Sequence, residues 1–172
     1  MPGNESDDLL LVKAIAHEFT RAKLAFFYFL DLSEKKSIKP EQYDNSRTLF
    51  LLYNAYGLFI HHLYEYQKGC FKREFRKYRE DKINKIDELI TNELDKFLRN
   101  CVILIEHNKA PAWIDSHRKT FYEKGAPADF GKDFREVRNY LAHVDLERIR
   151  GESRLSLSEF YLKLWNRINR YI

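Results

Sequence analysis

The chain has 172 residues, 44% of them hydrophobic and 33% charged, with 30 basic against 26 acidic side chains and a net charge of +4. That length suits a single domain, which buries roughly 70% of its unfolded surface and needs neither a disulfide nor a structural metal to be stable. Six Gly and four Pro exclude an all-β fold, which needs turn residues at short intervals; the mildly basic balance permits a nucleic-acid partner without demanding one.

The start of the chain lacks the basic and apolar segments of a signal peptide. The longest apolar run, Leu49 to Ile60, contains Asn54 and falls short of the ~18 residues of a membrane span. Cys70 and Cys101 belong to no CxxC or Cys/His cluster. Free thiols in a reducing compartment, a cytoplasmic location and no membrane contact are therefore expected.

In chain order, a first helix is expected from Ser6 or Asp7, either of which can cap free backbone N–H groups. Its apolar stripe runs Val12, Ile15, Ala16, Phe19, Ala22, Phe26, Phe29 and Leu30,. Ser33 to Lys39 reads as a linker. Pro40 then suits the first position of a long second helix, where its missing N–H costs nothing. Leu49, Leu52, Tyr53, Tyr56, Phe59, Ile60, Leu63 and Tyr64 continue one face of it. A polar stretch at Tyr78 to Lys82 separates it from a third helix carrying Ile83, Ile86, Ile90, Leu94, Phe97, Cys101 and Leu104.

His107 to Pro111 is a break, and a short helix from Pro111 to about Lys124 ends at Gly125, a suitable left-handed cap. Pro127 opens a fifth helix with Phe130, Phe134, Val137, Leu141 and Val144 at helical spacing. A final helix is signalled by Ser156 and Glu159, a capping box. The expected architecture is all-α: a single-domain bundle of five to six helices over residues 1–172.

One motif carries a chemical claim. The fifth helix reads Arg138-Asn139-Tyr140-Leu141-Ala142-His143. At ~100° per residue Asn139 and His143 lie ~40° apart, off the apolar face, while Arg138 is ~140° from His143 and reaches it only through its long side chain or a local unwinding. A guanidinium can clamp non-bridging phosphate oxygens, and an imidazole can give or take a proton near neutrality. RNA supplies its own 2′-hydroxyl nucleophile, so this set suffices for phosphodiester cleavage without a metal.

The Arg-Asn-x3-His segment resembles the signature of the HEPN superfamily, helical bundles that include many ribonucleases of toxin–antitoxin, phage-defence and RNA-processing systems. The resemblance is sharp over these six residues and architectural elsewhere. It implies a HEPN-like fold, Arg138 as phosphate clamp, His143 as acid/base and Asn139 as supporting polar group. It further implies an RNA or nucleotide partner, a homodimer with a composite site, a possible antitoxin, and no cofactor. Two rival readings stand beside it. One is a non-catalytic module binding RNA, nucleotide or protein through the same face. The other is a structural bundle in which Arg138 pairs with Asp145 or Glu136 and His143 caps its helix.

Elsewhere, Lys68, Lys72, Arg73, Arg76, Lys77, Arg79, Lys82 and Lys85 form the densest basic run, with Tyr78 inside it. Lys72, Arg73, Arg76 and Lys77 are its candidate RNA-binding residues, although such runs are commonly solvated faces. His61 and Glu65 sit at i, i+4, with His62 between them and His17-Glu18 on the first helix as the only helical supplement. A metal site normally needs a third ligand, so none is expected. His107, Trp113 and His117 could line a cleft, but Trp113 reads more simply as a packing anchor. There is no phosphate-binding glycine loop or serine-hydrolase elbow.

Overall fold

The computed structural model describes residues 5–75 and 83–142. Among these there are six α-helices and no strand: α1 (Glu5–Ile38), α2 (Pro40–Tyr43), α3 (Ser46–Glu74), α4 (Ile83–Glu106), α5 (Lys119–Glu123, entered through a 3₁₀ turn at Ser116–Arg118) and α6 (Phe130–Ala142). The expected all-α bundle is what the chain forms. The expected break at 78–82 and the final helix at 156 lie outside the described residues.

Three local expectations are corrected. The Ser33–Lys39 stretch is not a linker: α1 continues through it to Ile38. Ser33 and Ser37 turn their hydroxyls back to the carbonyls of Phe29 and Ser33, and Lys35 pairs with Asp31 one turn earlier, so the polar residues serve the helix instead of ending it. Pro40 is what ends it, by pushing Lys39 out of the helical region (φ −132°, ψ 66°),. The long second helix is in fact two pieces. A single turn, α2, stops at Asp44, and Asn45 restarts the chain as the N-cap of α3, its side chain accepting from the Thr48 N–H at 2.9 Å,. Finally, residues 111–115 form turns and bends, and the α-helix expected there begins only at Lys119, after the 3₁₀ turn. Gly125 does take the left-handed conformation, φ 69°.

The helix α3 organises the fold because it packs on two sides. Along one side lies α1, antiparallel. Phe19 meets Tyr66, Phe26 meets Phe59 and Phe29 meets Tyr56, at ring separations of 5.3, 4.9 and 5.2 Å. Asp8–Arg73 and Lys36–Asp44 ion pairs lie towards the two ends. With α3 as its main neighbour, α1 buries only a narrow strip, chiefly Ala22 and Leu32, and Phe19, Phe27 and Leu30 stay half exposed.

On the other side of α3 sit α4 and α6, and here the core is closed. Ile60, Tyr64 and Phe71 of α3 pack with Ile90 of α4 and Phe134 and Val137 of α6. Fully burying such side chains is worth roughly 1.5–3 kcal/mol each. Gly131 sets the α4–α6 distance: its N–H donates to the Thr91 hydroxyl at 3.0 Å, and a Cβ there would collide with the backbone carbonyl of Asp87. Both cysteines are free thiols. Cys101 is fully buried, whereas Cys70 is half-buried and lines a cavity of about 460 Å³ at the α1–α3 seam with Val12, Ile15, Arg73 and Glu74.

Candidate functional site: the arginine seam between α3 and α6

The α6 helix is short and strongly one-sided. Phe134 and Val137 point into the core, which turns Arg138, one residue on, along the edge of the α3 contact. Leu141, one turn further, rests against Gly57 of α3. Arg138 therefore spans the seam. Its Nη2 meets the carboxylate of Glu65 at 2.5 Å, Nη1 donates to the Asn139 side-chain carbonyl at 3.0 Å, and the guanidinium carbon lies 5.7 Å from the centre of the Tyr64 ring. Only 20% of the Arg138 side chain and 24% of the Glu65 side chain are exposed, so the pair is held in a partly dry setting where charge interactions are strong. Its Nε is buried and has no hydrogen-bond partner among the described residues.

His61 stands one turn before Glu65 on α3 and its Nδ1 is likewise buried without a partner. Burial, then the positive charge of Arg138, then His62 push the His61 imidazole below the ordinary histidine value, with Glu65 and Glu18 pulling weakly the other way. That favours a neutral ring near pH 7. His62 lies edge-on to His61, ring centres 5.1 Å apart, and its Nδ1 is 2.7 Å from Glu18 of α1. Lys68 approaches Glu65 at 3.8 Å.

Of the residues singled out from sequence, the structure brings Arg138 and Asn139 into direct contact; His143 lies outside the described residues. Among the described residues the acid that pairs with Arg138 is Glu65 and not Glu136; Asp145, the other partner expected, lies outside them. Lys72 and Arg73 are exposed on α3, about two turns beyond Glu65, and Arg73 makes two bonds of 3.3 Å to Asp8. Arg76 and Lys77 lie outside the described residues. Trp113 is not buried as an anchor: it is 67% exposed and stacks on Phe97 at 6.1 Å. His107 and His117 are exposed.

His61 and Glu65 attracted attention from sequence only as metal ligands. Among the described residues no three His, Cys, Asp or Glu side chains are arranged to hold a metal ion. Their place beside Arg138 had one sequence signal: each directly follows an apolar-stripe residue, Ile60 or Tyr64, and so borders the buried face. No protein-family model, curated protein or solved structure matches the chain.

Proposed function

We propose that this chain is a metal-independent endoribonuclease in which Arg138 clamps the scissile phosphate, Asn139 orients the guanidinium and His143 transfers the proton. The 2′-hydroxyl of the RNA attacks the adjacent phosphorus, its proton leaves to a base, and the 5′-oxygen departs with a proton. The products are a 2′,3′-cyclic phosphate and a 5′-hydroxyl. The observation that carries the reading is the state of Arg138. Its guanidinium is oriented by Asn139 and Glu65 while its Nε–H has no partner among the described residues, which leaves a donor for a phosphate oxygen. The HEPN resemblance supports the same roles and adds the expectation of a homodimer with a composite site. It also suggests a toxin–antitoxin or phage-defence setting with a cognate antitoxin. Lys72, Arg73, Arg76 and Lys77 would follow the RNA backbone.

The test is cleavage of a labelled structured RNA in EDTA by wild type and His143→Ala side by side. Cleavage by the wild type alone, with cyclic-phosphate ends, is the expected result, and full cleavage by His143→Ala removes that residue from the mechanism. A second reading, a module that binds RNA, nucleotide or protein without turnover, is favoured by the Arg138–Glu65 ion pair, which already occupies one edge of the guanidinium. It predicts binding that Arg138→Ala abolishes and His143→Ala leaves nearly intact.

A further inference from the structure

The seam contains two buried polar atoms, Arg138 Nε and His61 Nδ1, that have no partner among the described residues, and the two side chains are close enough for the charge of Arg138 to act on the imidazole. On α3, His61 lies one turn after Gly57, which receives Leu141, and one turn before Glu65, which receives Arg138. It therefore faces the stretch of α6 between Arg138 and Leu141. Nearby, Arg138 Nη1 is engaged by Asn139, Arg138 Nη2 by Glu65, and His62 by Glu18. The Nε of Arg138 and the Nδ1 of His61 are not. Leaving a buried donor unmet costs roughly 1–3 kcal/mol, a cost that a protein usually tolerates where a ligand repays it.

We propose that His61 binds the same phosphate group as Arg138, so that the anion is held by one donor from α3 and one from α6. This rests on the reading of Arg138 as a phosphate clamp and adds to it a residue outside the Arg-Asn-x3-His motif. In its neutral form the imidazole donates through Nδ1–H; once protonated it also neutralises charge. The groups that face it are Arg138 from α6, His62 and Glu65 from α3, and Glu18 from α1. Adding a phosphate anion to that set stabilises the protonated ring, so phosphate binding raises the His61 pKa from its lowered position in the free protein, and affinity rises as pH falls from the bound-state pKa towards the free-state one,.

The experiment uses a fluorescent 2′-O-methyl RNA, which has no free nucleophile and is bound but not cut. Affinity is read by fluorescence anisotropy for wild type, His61→Gln and His61→Leu across a pH series from neutral to mildly acidic, and the His61 ring is followed by NMR in the wild-type protein. Loss of a hydrogen bond to a charged group predicts binding weakened roughly 10- to 100-fold in both variants. The pH dependence is expected to weaken when the His61 imidazole is removed, and the wild-type His61 resonance to titrate at higher pH when RNA is bound. Thermal melts separate misfolding from lost contacts, and the NMR titration needs no variant. Wild-type-like binding by a folded His61→Gln, a His61 resonance indifferent to RNA, or no binding of this RNA by wild type overturns the proposal. Failure of the ribonuclease reading is seen separately, as intact binding with no cleavage of unmodified RNA.

Discussion

Arg135 and Arg138 leave α6 one turn apart and cross to different helices. Arg135 reaches α4, where its Nε lies 3.1 and 3.0 Å from the two oxygens of Asp87 and its Nη2 lies 3.0 Å from Oδ2. Arg138 reaches α3, where one oxygen of Glu65 meets Nη2 and the Nε is left over. Both arginines are similarly buried, with 23% and 20% of the side chain exposed. What separates them is how completely the facing carboxylate satisfies them. A guanidinium saturated along one edge works as a strut, while one with an unmet inward donor retains binding capacity that folding does not use.

The contrast is most exposed to failure at Arg135. Arg135→Ala leaves Asp87, whose side chain is only 12% exposed, as a lone charge between α4 and α6. A loss of about 3–5 kcal/mol is expected, measured by urea unfolding. A loss within ~1 kcal/mol would put Arg135 in the same class as Arg138 and dissolve the distinction.

A smaller effect sharpens the electrostatics between the two arginines. Tyr64, buried between them, has its hydroxyl pushed up to about 12, first by burial and then by the charge of Asp87. The unfolded chain ionises this group near 10 while the folded protein keeps the proton. Stability should therefore fall as pH rises from about 10 to 12, by about 2–3 kcal/mol, and level off above. Tyr64→Phe should flatten that limb, and an unchanged slope would mean that the hydroxyl ionises as readily in the folded protein as in the unfolded chain.

The least change in stability is expected at Arg138. Arg138→Ala releases an unmet buried Nε and leaves Glu65 beside Lys68, so a loss of about 1 kcal/mol is predicted. Substrate binding should meanwhile collapse. A stability loss as large as that of Arg135→Ala, with RNA binding untouched, would make Arg138 a second strut.

How far the sequence revealed these features depends on the range of the interactions involved. Regular apolar spacing located α4 and α6, and the conformational limits of Pro40 and Gly125 marked real boundaries. The Ser33–Lys39 stretch misled because serine and lysine look alike in a linker and on a helix whose hydroxyls bond back to its own carbonyls. At the candidate site, Arg138 and Asn139 were legible as neighbours in one motif. Glu65 and His61 were not legible as their companions: they lie more than seventy residues earlier, and an acid or imidazole on a helix carries no record of which helix will face it. Asp87 went unnoticed for the same reason, although Gly131 brings α6 so close to α4 that Arg135 has nowhere else to go.

The half-open pocket beside Cys70 has a practical meaning of its own. With two cysteines in the whole chain, thiol chemistry on the folded protein is a contest between only two sites. Burial raises the thiol pKa of Cys101 and closes it to reagents,, while Cys70 faces a space large enough for a small electrophile. The native molecule thus carries a single addressable handle at the α1–α3 seam. A reporter attached there would sense whether α1 stays seated on α3, without any engineered residue.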